Sequence, residues 1–395
     1  MKRPALLIVC NALDDSTRLA RNISTDSPAA SRKVFLLAQA LRSAGVRPYV
    51  LSLGRGKANG SFAFHRRTVR RVDGVAVVYA PFSHIPLVSE LLSLFALVGT
   101  VLRVARHRRK AVVFYNRMTA YVPTLLMAAA AGYRNVLDLE DGEVAGAGHG
   151  AIKDRLACVV PRLFDRLCSG GALLACSALA GKTEVRPVHC YYGTAGGEST
   201  GTRWSSPRLS FLMAGSLMPE TGADTLIQAI RLLRREAPEW ARQICFEVTG
   251  KGPSLEGFNV LASEPGAPQV IAHGRTTDAQ YREILDHCAV GLALKPIGGS
   301  LADTTFPSKV IEFAGAGLLV LTTDISDVRQ LLGAGALYLT GNEPEELVAQ
   351  LRRVADDRTA ARACAEQGRN AVLERCSPQL AGRDVAHFIF GHDNV

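Results

Sequence analysis

Two stretches of the chain carry residue types whose spacing suits chemistry. The first is Thr304-Thr305-Phe306-Pro307-Ser308-Lys309-Val310-Ile311-Glu312-Phe313-Ala314-Gly315-Ala316-Gly317, which runs into the apolar Leu318-Leu319-Val320-Leu321. Pro307 suits a first helical turn, where free backbone amides with Lys309 beside them form an anion site. Ser308 and Glu312 are four apart and share a helix face, so Glu312 stands one turn below that site. A carboxylate there accepts two hydroxyl hydrogen bonds of the kind a ribose offers, and phosphate above with ribose below describes a nucleotide clamp. The same spacing also suits an amphipathic helix with a solvated Lys and Glu.

The second stretch is Asp138-Leu139-Glu140-Asp141-Gly142-Glu143, at the carboxyl end of the strand-like run 135–139. Carboxylates crowded at a strand end tend toward raised pKa values, which suits a general base or a charge stabiliser. Helix capping competes with that reading, and Asp138 with Glu140 also has the spacing of a metal-binding acidic pair. Asn116-Arg117 follows the strand-like run 111–115, and Arg32-Lys33 opens the first long helix. An Arg offers a bidentate fork to phosphate, so these positions are candidates for an anionic substrate, with solvated surface as the plain alternative. His149 and His189 have no partner visible in the sequence. Gly250-Lys251-Gly252 lacks the third Gly of a dinucleotide fingerprint, and Gly315-Ala316-Gly317 precedes a strand where that fingerprint follows one. Neither supports a nicotinamide enzyme.

The elements that must hold these residues alternate throughout. Strand-length apolar runs occur at 5–13, 48–53, 75–79, 111–115, 135–139, 172–176 and 188–192. Helical periods fall between them, as in Val34, Leu37, Ala38 and Leu41, and over 87–106, 119–131 and 152–168. After the small, polar 194–207 the alternation restarts. Strands are expected at 209–214, 244–249, 270–272, 290–294 and 318–322, with helices around 226–233, 278–287 and 308–315 and a helical tail over 344–374. Such alternation predicts α/β architecture, two Rossmann-like doubly wound parallel sheets with ligands beyond the carboxyl ends of their strands, facing a cleft. The expected division is 1–193, a linker 194–207, 208–375, and a tail 376–395 that packs back on the first domain.

At 395 residues the chain is long enough for two cores, and 48% hydrophobic with 21% charged residues excludes a disordered or fibrous chain. The net charge of +10 is uneven: residues 1–195 hold 27 basic and 12 acidic side chains, residues 196–395 hold 19 and 24. A basic half beside an acidic one points to a polyanionic partner for the first half. The nine cysteines form no Cys-x-x-Cys pair, as expected of thiols in a reducing cytosol. The start resembles a signal peptide but runs into Asp14-Asp15-Ser16-Thr17-Arg18 with no small-residue cleavage site, so a buried first strand is expected. The apolar run 86–102 contains Glu90 and is short for a membrane span. It ends in Arg103, Arg106, Arg108, Arg109 and Lys110, and a second cluster is His65-Arg66-Arg67 with Arg70-Arg71, a composition suited to an anionic membrane surface. Aromatics total 6% and do not interleave with the basic runs, which excludes a stacking platform for nucleic acid.

Ser308, Lys309, Glu312, Ala314 and Gly317 together resemble the donor-binding signature of glycosyltransferases with the GT-B fold, especially family 4 and its relatives. The resemblance extends over most of the second half. Phe211-Leu212-Met213-Ala214-Gly215 is similar to the strand–Gly element that opens the donor domain, Val248-Thr249-Gly250-Lys251-Gly252-Pro253 to its Gly-x-Gly-Pro turn, and Ile271-Ala272-His273-Gly274 to the short strand before the helix 281–289. Some family members also carry Glu-Asp where this chain has Glu140 and Asp141. The sequence departs from the pattern at Thr304, where the family usually has Glu, and at Ser216 and Thr221, where it often has Arg and Lys. Lys309, Lys251 or Lys295 would then neutralise the diphosphate.

The resemblance implies transfer of a sugar from a nucleotide diphosphate sugar to a phosphorylated or lipid-linked glycan or other acceptor, as in bacterial surface polysaccharide or glycolipid synthesis. Gly215, Ser216, Gly250, Lys251, Ser308, Lys309 and Glu312 would hold the donor, Glu140 and Asp141 would be catalytic, and Arg32, Asn116 and Arg117 would hold the acceptor. In an inverting reaction a carboxylate deprotonates the acceptor; in a retaining one the leaving phosphate does. No metal and no further cofactor is expected, because this fold needs none for diphosphate departure. The expected location is cytoplasmic, peripheral on the inner face of the cell membrane. A sugar-nucleotide 2-epimerase of the same fold and a non-catalytic nucleotide-sugar-binding partner are the alternatives.

Overall fold

The protein is described by a computed structural model covering residues 3–57, 63–85, 88–89, 91–92, 96–107, 109–142, 151–196, 201–299 and 302–391. The chain divides into two compact units, Met1–Thr194 with Pro378–Val395, and Ala195–Ser377.

The first unit contains strands β1 (Ala5–Cys10), β2 (Arg47–Ser52), β3 (Phe64–His65), β4 (Thr68–Val72), β5 (Val75–Tyr79), β6 (Phe82–Ser83), β7 (Lys110–Tyr115), β8 (Arg134–Leu139), β9 (Ala172–Leu174) and β10 (Val188–Cys190). Eight of them form one sheet in the order β10-β9-β8-β7-β1-β2-β5-β4, and β3 pairs with β6 separately. Every neighbour in the large sheet is parallel except β4, which runs antiparallel to β5 at the edge. Every residue of β1 is buried, as a strand covered by helices on both faces must be. The helix Pro28–Ser43 starts with Ser27 as its cap and Pro28 in its first turn, and buries Val34, Leu37, Ala38 and Leu41 on the sheet. The terminal helix Pro378–Phe390 packs on Pro28–Ser43, adding Ala381, Val385, Ala386 and Ile389 to the same core. Gly382 makes that approach possible, because a Cβ there would run into the Ala40 carbonyl.

The second unit holds β11 (Leu209–Ser216), β12 (Ile244–Lys251), β13 (Gln269–Gly274), β14 (Val290–Ala293), β15 (Leu319–Thr323) and β16 (Ala336–Leu339). They form one all-parallel sheet in the order β13-β12-β11-β14-β15-β16. Phe211, Phe246, Phe258 and Leu226 lie at the centre of its core.

Several boundaries differ from the sequence expectations. The first strand stops at Cys10 instead of 13, because Leu13 donates its backbone N–H to the Ser31 hydroxyl (2.9 Å) and leaves the sheet. Over the apolar run at 87–106 the described helix is Val98–Val104, while Leu87, Glu90, Leu94, Phe95 and Arg108 lie outside the described residues. The helix at 119–131 begins as a 3-10 turn, Thr119–Tyr121, before Val122–Ala130. The tail over 344–374 is two helices, Pro344–Asp356 and Arg358–Cys376, broken where the Asp357 side chain accepts from the Ala360 N–H (2.9 Å) and caps the second. The polar stretch 194–207 carries a 3-10 turn, Gly201–Ser205, and its residues 197–200 lie outside the described ones. The strands β3, β4, β6 and β16 and the helices Leu255–Ser263 and Val328–Leu332 had no expectation in the sequence.

Candidate functional site

In the second unit the candidate donor residues meet at the carboxyl ends of β11 and β12. The register aligns Gly215 with Gly250 and Ser216 with Lys251. Gly250 has φ +146, and a Cβ on it would collide with the Gly215 carbonyl oxygen, so only glycine lets these two strand ends close up. Lys309 arrives from the helix Lys309–Gly315, and a Cβ at Gly215 would lie 3.5 Å from its Cε. That is an ordinary contact, so the glycine is favoured at 215 by its φ of +118 and not by the space the lysine stem needs.

The ammonium of Lys309 donates to Glu312 Oε2 (2.6 Å) and to the Tyr281 hydroxyl (3.1 Å), and lies 4.8 Å from the centre of the Tyr281 ring. Burial works against its charge, but the Glu312 carboxylate and Tyr281 outweigh it and raise the lysine pKa, fixing a permanent cation. Glu312 Oε2 is therefore committed to Lys309. Tyr281 carries no site signal of its own in the sequence. Ser308 is exposed at the start of this helix and its side chain caps nothing. Ser216 is exposed, and its carbonyl accepts from the Thr221 hydroxyl (2.7 Å), which also accepts from the Met218 N–H (3.1 Å). Thr221 thus closes the turn after β11 where the resemblance has a cation. Lys251 is half-buried at the end of β12.

In the first unit Asp138 and Glu140 leave the end of β8 on one face. Asn116, at φ +61, donates its backbone N–H to the Asp138 carbonyl (2.8 Å), and its Oδ1 accepts from the Glu140 N–H (2.8 Å). Asn tolerates that left-handed backbone better than most residues, which suits it to this corner. Lys33, from the helix Pro28–Ser43, donates to Glu140 Oε1 (2.5 Å) and to the Tyr191 carbonyl (3.3 Å), and its Nζ lies 4.9 Å from the Tyr191 ring centre. Both partners of this ion pair are nearly covered, Lys33 at 8% and Glu140 at 11% exposure. Asp138 is 2% exposed. Burial, then the charge of Glu140 and a hydrogen bond to it, push the Asp138 carboxyl well above the ordinary range, with Lys33 only partly opposing. Tyr115, buried beside these carboxylates, is raised too. The crowding expected at this strand end thus falls on Asp138, while Asp141 is exposed.

The remaining candidates are placed differently. Arg117 forms an ion pair with Asp165 (2.7 Å) and donates to the Lys182 carbonyl (3.1 Å), with 5% of its side chain exposed. It therefore braces the helix Ala151–Leu167 against the turn Ser177–Lys182. Arg32 is half-buried, one residue from Lys33 and so about 100° away around the helix. His189 stacks on Phe388 (5.4 Å between ring centres), while His149 and Glu143 lie outside the described residues. Glu247 joins β12 to His273 (2.5 Å) and His287 (3.2 Å), a cluster with no sequence signal. Among the described residues no group of three or more His, Cys, Asp or Glu side chains is placed to hold a metal ion. A groove of about 910 Å³ lined by Arg329, Tyr338, Arg352, Arg353 and Cys364 does not include Lys309, Glu312 or Tyr281.

The architecture is that of the GT-B fold. The HepE protein of Anabaena, solved in complex with UDP and glucose, superposes with a TM-score of 0.64 at 14% identity, covering 98% of this chain and 99% of its own. Sucrose-phosphate synthase of Thermosynechococcus elongatus superposes with a TM-score of 0.68 at 12% identity, covering 98% of each chain. Residues 228–380, which carry Tyr281, Lys309 and Glu312, match the glycosyl transferase-like family. No curated protein sequence matches the chain. The GT-B fold and the match of residues 228–380 to the glycosyl transferase-like family together support an enzyme of glycosyltransferase type.

Proposed function

We propose that this glycosyltransferase takes its sugar from a UDP-sugar bound by the second unit and delivers it to a phosphorylated or lipid-linked acceptor. The observation that carries the donor reading is the Lys309–Glu312–Tyr281 cluster at the carboxyl end of β11, inside the segment that matches the family. The choice of UDP is supported by HepE, which has been solved with UDP and with UDP-glucose. Lys309 presents the cation for the departing diphosphate, and Glu312 accepts from the ribose hydroxyls. Gly215, Ser216, Gly250, Lys251 and Ser308 supply backbone and side-chain donors around them. Lys309 carries the charge compensation that the resemblance assigns to other positions, and catalysis proceeds without metal.

Glu140 takes the proton of the acceptor hydroxyl, with Asp141 beside it, a role worth about 10²–10⁴-fold for a positioned base. Asn116, at this strand end, and Arg32, next to Lys33 in the chain, are the acceptor contacts. The acceptor is anionic because the first half carries the basic excess. Its membrane side is drawn from the first unit, where Phe64, Val69 and Leu102 are exposed among the exposed Arg66, Arg67, Arg70, Arg71, Arg103, Arg106 and Arg109. Among the described residues no helix is long and apolar enough to cross a membrane.

The test is turnover. The purified protein is offered UDP-sugars with and without lipid-phosphate acceptors, in buffer containing a chelator, and UDP release is followed. Release that depends on acceptor and survives chelation supports this reading. Interconversion of the sugar, binding without turnover, or metal-dependent release contradicts it.

A further inference from the structure

The cluster at the end of β8 contains a charge imbalance that the fold must resolve. Two carboxyl groups, Asp138 and Glu140, meet one ammonium, Lys33, in a region almost closed to water. Lys33 spends its short contact on Glu140 (2.5 Å), and its second donor goes to the Tyr191 carbonyl (3.3 Å). Asp138 lies within hydrogen-bonding reach of Glu140, and its Oδ1 is buried with no partner among the described residues. The other titratable groups around it, Cys10 at the end of β1 and Tyr115 at the end of β7, are neutral acids whose own ionisation the buried setting opposes, the thiol being pushed up to about 12. A buried carboxylate with an orphaned oxygen and no cation of its own is costly, whereas a carboxylic acid that donates to its neighbour is not.

We propose that Asp138 is a neutral acid that donates its proton to Glu140, so that Glu140 alone carries the negative charge, fixed between Lys33 and Asp138. Asp138 is then a positioning residue. It holds the Glu140 carboxylate in one orientation, with one oxygen committed to Lys33, and it keeps the pair at a single negative charge as the acceptor site fills. The extended backbone sets this up, because Asp138 near the end of β8 and Glu140 one residue past it are two apart and project to one face. Asn116 contributes by holding the Glu140 backbone N–H. This role rests on the proposed transfer, in which Glu140 takes the acceptor proton.

The test combines a spectroscopic and a kinetic arm on the full chain. Infrared spectra of the wild type at neutral pH are expected to show a protonated carboxyl band that Asp138→Asn removes. The Asn variant keeps an N–H donor to Glu140, so its transfer rate is expected within about threefold of wild type, whereas Asp138→Leu, with no donor, loses about tenfold or more. Lys33→Met is expected to move the acid limb of the pH–rate profile to higher pH, because the charged form of the pair loses its cation. A wild type with no such band, or an Asn variant as impaired as the Leu variant, overturns the proposal. If the band is present and responds to Asp138→Asn while Glu140→Gln leaves transfer unchanged, the shared proton is supported and the role of Glu140 in transfer is contradicted.

Discussion

Lys309 and Lys33 have the same design at the residue scale: a lysine brought in by a helix, paired with a glutamate and lying over a tyrosine ring. Lys309 and Glu312 were legible because they are three apart on one short helix inside a patterned segment. Lys33 and Glu140 are 107 residues apart, and nothing local in either sequence context announces the other. Arg117 illustrates the opposite case, a phosphate fork by residue type that the structure gives to Asp165. Arg117→Ala is therefore expected to lower thermal stability, by about 3 kcal/mol or more for a broken buried pair, while leaving acceptor KM within about twofold in the folded fraction. A large rise in KM with unchanged melting would reverse that assignment. Asp138 sets a pH dependence whose sign follows from its raised pKa. The folded state keeps its proton where the unfolded chain has released it. This contribution is full below the ordinary carboxyl value of 3.8 and is lost as pH rises toward the raised folded value. Denaturant unfolding of Asp138→Asn against wild type should show the variant gaining relative stability as pH increases, and parallel curves would contradict it.

At the scale of elements, the apolar strands announced themselves because a parallel sheet buried on both faces needs nearly continuous apolar runs, as β1 and β15 show. The elements without a signal are those that break this rule. Thr68–Val72 is an exposed, arginine-bearing edge strand, which blunts the sheet edge, and β3 and β6 have two residues each. The break between the two C-terminal helices at Asp357 was hidden because the alanine-rich sequence continues a helical pattern across it. The last helix docks on Pro28–Ser43 through backbone contact at Gly382, a long-range approach that only the folded chain reveals. Gly382→Ala is expected to cost about 1–3 kcal/mol by overpacking that contact, read as a lower melting temperature, and an unchanged melting curve would rule the contact out as a constraint.

For the whole molecule, the uneven charge has a consequence that binding can test. The basic residues of the first half include the exposed Arg66, Arg67, Arg70 and Arg71 beside Phe64 and Val69. Sedimentation with anionic vesicles at low salt is expected to carry the protein down, with the bound fraction falling as salt rises and in a variant with these four arginines replaced by glutamine. Protein that stays in solution under all conditions would remove the membrane from the proposal. The central claim is that the Lys309–Glu312–Tyr281 cluster holds the nucleotide of the donor. Calorimetric titration of UDP into the wild type and Glu312→Gln tests it most directly. The proposal predicts saturable binding to the wild type and a loss of about tenfold or more in the variant, with its circular dichroism spectrum unchanged. Equal affinity in the two proteins, or no UDP binding to the wild type, would contradict it.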